Sequence, residues 1–216
     1  MKLINKTMRK LFTIFTLLSI SFGFATDRFV DPNLSSGNGT TLFTTITSAV
    51  VAAQNGDRII IASSTYNEAA LTIGKSLQIM PQTQGTVINF NANITIAGFP
   101  GMKLEITGFN LGLYSFLSNS ITNGVNTNRA IVHIIDSSAY NLDFNNDFYK
   151  LNCLSNNITH SVKFKFGSIV KSNMFGVFLF DEPSQSNETE KIFIAANNIS
   201  TICAINNNNA AFAIAN

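Results

Sequence analysis

Residues 133–150 read HIIDSSAYNLDFNNDFYK, the densest set of side chains in the chain that can move a proton, hold a cation or grip a sugar. Asp143 and Asp147 are spaced to flank a sugar ring or a cation. Lys163 and Lys165 follow and can serve as bases. These four are the catalytic candidates. Asp136, Tyr149 and Lys150 offer an acceptor, an aromatic face and a donor, so they are the candidate carbohydrate-binding residues. The competing reading is that the acids are corner residues in solvent. Lys163 and Lys165 would then mark a solvated strand face opposite Val162, Phe164 and Phe166.

Other chemistries find little support. The only histidines are His133 and His160, so no histidine metal site is predicted. His133 alternates with Val132 and Ile134 and points away from them. There is no Trp, which leaves Tyr114, Tyr140 and Tyr149 for stacking on sugars. No glycine-rich loop leads into a helix as nucleotide binding requires. No cofactor is expected.

Such residues must be carried by elements, and the composition says which kind. Charged residues are 12% of the chain, against about 25% in an ordinary globular domain. Asn is abundant, with 28 residues, beside many β-branched and aromatic ones. That mixture suits strands joined by Asn-bearing corners. Short apolar runs recur, among them TVINF, NITIAG, KLEITGFNL, AIVHII, KLNCL, VKFKF and KIFIAANNI. Runs this short and dense imply a sandwich or a β-solenoid. Hairpin signals are sparse, which favours the solenoid. So does a recurring apolar residue followed four later by Asn: Ile106/Asn110, Cys153/Asn157, Ile169/Asn173 and Ile194/Asn198. In a solenoid such asparagines stack from coil to coil. Their uneven intervals fix no register.

One stretch breaks the pattern. Leu42, Phe43, Ile46, Ala49, Val50 and Ala53 fall on one helical stripe. Thr44 or Thr45 can cap its start, and Gly56 is placed to stop it. After Asp57 the period becomes two, with Ile59 and Ile61 on one face. The spacing predicts a helix over residues 43–53, lying over the first coil. There it covers apolar core and strand edges that would otherwise recruit other chains.

The first 25 residues carry Lys2, Lys6, Arg9 and Lys10, then LFTIFTLLSISFGFA. This reads as a secretory signal peptide, too short to span a bilayer. The remaining residues 26–216 hold ten basic and twelve acidic side chains, a net of −2. No basic patch favours nucleic acid, and no membrane association is expected after cleavage. The expected location is secreted, extracellular or at the cell surface. Three parts follow: the signal peptide to residue 25, an N-terminal segment with its helix over 26–57, and coils over 58–216.

Ordered landmarks in residues 29–79 carry a family likeness. They are Phe29-Val30-Asp31, Gly37-Asn38-Gly39, the helical stripe, Gly56-Asp57-Arg58-Ile59, Thr65-Tyr66-Asn67-Glu68 and Lys75-Ser76-Leu77. This region resembles the opening segment of right-handed parallel β-helix proteins of the pectate-lyase type. Ser64, Leu42 and Met80-Pro81 depart from that pattern. The resemblance implies an all-β, right-handed parallel β-helix with an N-terminal amphipathic capping helix. Enzymes of that type are polysaccharide lyases, using a base with calcium or a second base, or hydrolases with clustered aspartates. The paired-Asp, His-Gly and Arg-x-Lys signatures of the hydrolases are absent, as is the Arg-centred lyase pattern.

Two functions stay open: non-catalytic binding of polysaccharide or a cell-surface partner, or polysaccharide lysis by Asp143, Asp147 and a Lys of the next coil, with calcium only in that case. A third reading is a piece of a longer solenoid, since the chain stops in NNNNAAFAIAN without a closing helix. Cys153 and Cys203 are two to three coils apart at roughly 20–25 residues each. At about 4.8 Å per coil they exceed disulfide reach, so free thiols are expected.

Overall fold

The structure, a computed structural model, describes residues 25–119, 128–146, 148–180 and 192–205, with backbone alone for 178–180 and 202–205. Residues 1–24 of the segment over 1–25 expected to be a signal peptide, together with Asp147 and the final run of asparagines, lie outside the described residues. In chain order the first elements are β1 (Asp27–Val30), β2 (Leu42–Phe43), α1 (Ile46–Ala52), β3 (Arg58–Ile61), β4 (Thr65–Tyr66) and β5 (Leu71–Ile73). Next come β6 (Gln78–Pro81), β7 (Ile88–Phe90), β8 (Ile94–Ile96), β9 (Lys103–Thr107), β10 (Phe109–Asn110) and β11 (Phe116–Ser118). The remainder are β12 (Ala130–Ile135), β13 (Ser138–Phe144), β14 (Tyr149–Leu154), β15 (Asn157–Phe164), β16 (Gly167–Val170), β17 (Asn173–Phe180), β18 (Phe193–Ala195) and β19 (Asn198–Ile205).

The chain is all-β with parallel sheets, as its composition implied. A nine-stranded sheet runs β18-β16-β14-β12-β9-β6-β3-β1-β2. A ten-stranded sheet runs β19-β17-β15-β13-β10-β7-β4, with β5, β8 and β11 forming a branch that joins at β13. From β3 onward the chain alternates between the two sheets. Each strand pairs in parallel with the equivalent strand one step on.

Register builds the core. Ile59, Ile79, Ile106, Ile134, Cys153, Ile169 and Ile194 are successive partners, and all are buried. Each such side chain contributes about 1.5–3 kcal/mol by leaving water. The apolar-then-Asn pattern is explained by this column. Its asparagines also share one register, Asn89, Asn110, Ser138, Asn157, Asn173 and Asn198. Asn110 donates to Asn89 Oδ1 at 2.9 Å, and Ser138 Oγ donates to Asn110 Oδ1 at 2.7 Å.

The corner before each of the last five of those residues is left-handed. Gly108, Asp136, Ser155, Lys171 and Ala196 all have positive φ, and four of them are not Gly. That conformation is costly for L-residues, so it needs support. Each of the first four donates its N–H to the sheet residue of the next step, as Asp136 does to the Leu154 carbonyl at 3.0 Å. Behind them sit Ser137, Asn156, Ser172 and Asn197. Asn156 Nδ2 donates to the Ile134 carbonyl at 2.7 Å while its Oδ1 accepts the Ser137 N–H at 2.9 Å. Asn197 repeats this with the Ile169 carbonyl and the Ser172 N–H, both at 2.8 Å.

The helix is shorter than its stripe suggests. Leu42 and Phe43 are strand β2, pairing with Phe29 and Val30 of β1. Thr45 caps the N-terminus, its side chain accepting from Ser48 N. The C-cap is Ala53 rather than Gly56, which takes φ 94° in the following turn. Ile46, Ala49 and Val50 are buried against β1, β2 and β3, while Val51 is 73% exposed. A seven-residue helix is unstable alone. Charges from the next turn hold both ends. The Glu68 carboxylate accepts from Ile46 N (2.7 Å) and Thr47 N (2.8 Å), and Lys75 Nζ donates to the Val50, Val51 and Ala53 carbonyls at 2.7–2.9 Å. Both placements suit the helix dipole.

Asp57 completes this end. It is 2% exposed and accepts from Thr26 N, Gln54 N and Arg28 Nε at 2.8–2.9 Å. Burial alone would raise its pKa, but the two backbone donors and Arg28 outweigh that and hold it below 3.8. Cys153 is a buried free thiol, and burial raises its pKa. Cys203 lies on β19 in the other sheet, and its side chain is outside the described residues.

Candidate functional site

The candidate site forms where short strands merge. Residues of β13 and β15 alternate inward and outward, so Leu142, Phe144, Val162 and Phe164 are buried while Asn141, Asp143 and Lys163 face out. The parallel register sets Asp143 beside Lys163. Asp143 Oδ2 and Lys163 Nζ are 3.6 Å apart, with side chains 43% and 39% exposed. An exposed pair at that distance adds little stability, so both charges remain accessible to a ligand.

A bulge builds the neighbouring part. Ile158 to Ser161 on β15 lies opposite Ala139 to Asn141 on β13 and Met174 to Gly176 on β17, so β15 carries one residue more than its neighbours. The extra length aims His160 outward, as bulges do. Its imidazole stacks on Tyr140, with centroids 4.7 Å apart and planes 18° apart. Asn141 Oδ1 accepts Ser161 Oγ–H at 2.7 Å and lies 2.9 Å from His160 Nδ1. An oxygen there makes Nδ1 the donor and leaves Nε2 as an acceptor. His160 and Ser161 therefore both bond Asn141 and not each other, which is not a nucleophile–base arrangement. Phe175, 61% exposed, occupies the equivalent position on β17, and Tyr114, 41% exposed, lies in the loop before β11.

Of the catalytic and carbohydrate-binding candidates, only Asp143 and Lys163 are brought together, while Tyr140, named for stacking on sugars, stacks on His160. Lys165 is half-buried just past the end of β15, and Asp147 is outside the described residues. Lys150 faces out from the nine-stranded sheet on β14, next to Ile131. Asp136 is exposed at a left-handed corner. Tyr149 is corrected outright: it is 1% exposed and offers no face to a sugar. Its hydroxyl accepts from Gly98 N at 2.8 Å and lies within hydrogen-bonding reach of the Ile96 carbonyl and the Asn119 side chain. Burial raises its pKa despite the Gly98 bond. Strand parity could have found this, because Leu151 and Cys153 point inward and Tyr149 shares their face. His160, Asn141 and Ser161 went unrecognised, since a one-residue bulge leaves no mark in hydrophobic spacing.

Among the described residues no group of His, Cys, Asp and Glu is arranged to hold a metal ion. Among them no helix is long and apolar enough to cross a membrane. Comparison with protein-family models, curated proteins and solved structures found no match.

Proposed function

We propose that this chain is an exported, right-handed parallel β-helix, closed at its N-terminal end by α1, which binds polysaccharide outside the cell or at its surface without cleaving it. The parallel step-on pairing of both sheets supports the winding, and parallel crossovers are right-handed in nearly all proteins. The packing of α1 on β1, β2 and β3 supports its role as a cap. This architecture is the one that the N-terminal likeness to pectate-lyase-type proteins implies.

One observation carries the binding function: the exposed Tyr140–His160 stack beside the polar Asn141, Asp143 and Lys163. Rings at an exposed edge, with amide and charged groups alongside, match the apolar faces and hydroxyls of a sugar. Titrating the protein from residue 26 with neutral and acidic polysaccharides tests this by calorimetry. Tyr140→Ala and His160→Ala should each weaken binding about fivefold or more, a loss of roughly 1 kcal/mol for an aromatic contact. Binding unchanged in both variants would refute the site.

The Asp143–Lys163 pair supports a second reading, a lyase in which Lys163, having first given its own proton to solvent, removes the proton beside a substrate carboxylate as the C–O bond to the leaving sugar breaks. Incubation with acidic polysaccharides, with and without calcium, would then yield an unsaturated product detectable by ultraviolet absorbance, and Lys163→Met would abolish it. Silence across a broad panel leaves the binding reading alone.

A further inference from the structure

The outward face of the nine-stranded sheet holds a surface that the glycan reading does not use. Met80, Thr107 and Ile135 on β6, β9 and β12 face out, and residues 82–87 rise beside them. Together they enclose a groove of about 660 Å³, within the range of ligand-binding clefts. Its floor and wall are apolar at Met80, Pro81, Val87 and Ile135, with Val87 46% exposed. Leu154 and Val170 continue the apolar line in register with Ile135.

The charge in this groove has one sign. Glu105 and Asp136 are its only ionisable lining residues. Neither is ion-paired among the described residues. Lys103 precedes Glu105 by two residues on β9 and His133 is the cross-strand partner of Glu105 on β12, both facing out, but neither lines the groove. No aromatic ring lines it, which disfavours a sugar. An apolar trough with two unpaired carboxylates complements a ligand that is both cationic and apolar.

We propose that this groove docks a basic–apolar peptide segment of a partner protein. An apolar side chain lies on Met80, Val87 and Ile135, and neighbouring Lys or Arg side chains reach Glu105 and Asp136. This surface and the glycan site belong to different sheets, so either can fail without the other.

The test uses the protein from residue 26, ¹⁵N-labelled, and three synthetic hexapeptides of alternating Lys-Leu, Glu-Leu and Lys-Ser. Lys-Leu should bind, shifting the amides of Thr86, Val87, Thr107 and Ile135, while the other two bind far more weakly. The double variant Glu105→Gln, Asp136→Asn should weaken Lys-Leu binding about five- to thirtyfold, as two exposed charge pairs would. Asn tolerates the left-handed corner at position 136, so the backbone should hold. The proposal fails if Lys-Leu and Glu-Leu bind alike, or if the shifts map elsewhere. It also fails if the double variant binds unchanged, or if the groove amides respond to protein concentration alone through self-association.

Discussion

The two ends of the chain solve one problem with different chemistry. From β1 to β6 ionised side chains join the neutral Asn38, Thr45 and Asn55 in satisfying the polar groups of turns and helix ends: Asp57 with Arg28, Glu68 at the start of α1 and Lys75 at its end. From β12 to β18 the equivalent work falls to neutral Ser and Asn, at Ser137, Asn156, Ser172 and Asn197. The strands differ as well. Near the start the strands after each corner are separate, as with Asn110 and Phe116 on β10 and β11. Later the matching positions Ser138 and Leu142 share the single strand β13. A helix end concentrates several unpaired groups of one kind, and a full charge answers them best. A repeated corner presents one N–H and one carbonyl per step, and a neutral amide matches both.

Four substitutions probe that contrast. Val50→Asp should have the largest effect, because it places an unpaired carboxylate under α1 at a site 3% exposed. No cooperative unfolding transition should be detectable by circular dichroism, and a soluble, folded variant would refute the role given to the helix. Asp57→Ala leaves the buried Arg28 charge without its carboxylate and two backbone donors without an acceptor, so it should cost about 3–5 kcal/mol in urea unfolding. The intact protein should show the matching pH dependence. The folded pKa of Asp57 lies below its ordinary 3.8, so the stabilisation is complete above that value and is lost as pH falls through the folded pKa. Acid should therefore loosen β1–β3 first by hydrogen exchange, and earlier loss of β14–β16 would break the contrast.

Asn156→Ala should cost about 1–3 kcal/mol, the penalty for the stranded Ser137 N–H and Ile134 carbonyl, and this loss should not vary with pH between 3 and 7. Lys75→Met should have the smallest effect, about 0.3–1 kcal/mol, visible as faster exchange of the α1 amides. A loss at Lys75 larger than that at Asn156 would reverse the ranking of the two ends.

Much of the fold was legible because burial imposes parity. The alternation at Ile59/Ile61 and the repeated apolar-to-Asn interval both mark real columns. The step at Ile134 escaped notice because Ser138 stands there instead of Asn. The amides that bond inside the corner are Asn156 and Asn197, one residue before the ones the pattern picked out, and Ser alternates with them, so no single-residue repeat announces them. The N-terminal landmarks were recognised as a pattern, and their reason is now visible: Thr65-Tyr66-Asn67-Glu68 and Lys75-Ser76-Leu77 deliver the two charges that hold α1. The site was less legible. Asp143 and Lys163 drew attention by type and as residues of successive coils, but that Lys163 and not Lys165 meets Asp143 depends on a 20-residue register step that uneven intervals conceal.

By itself the sequence determined the class of elements, the inward and outward faces of most strands and the presence of one short helix. These follow from local spacing and from which side chains avoid water. Tertiary structure alone decided which residues became neighbours across strands, and that one added residue in β15 lays His160 on Tyr140. Register is a property of two chain segments together, so no single segment can encode it.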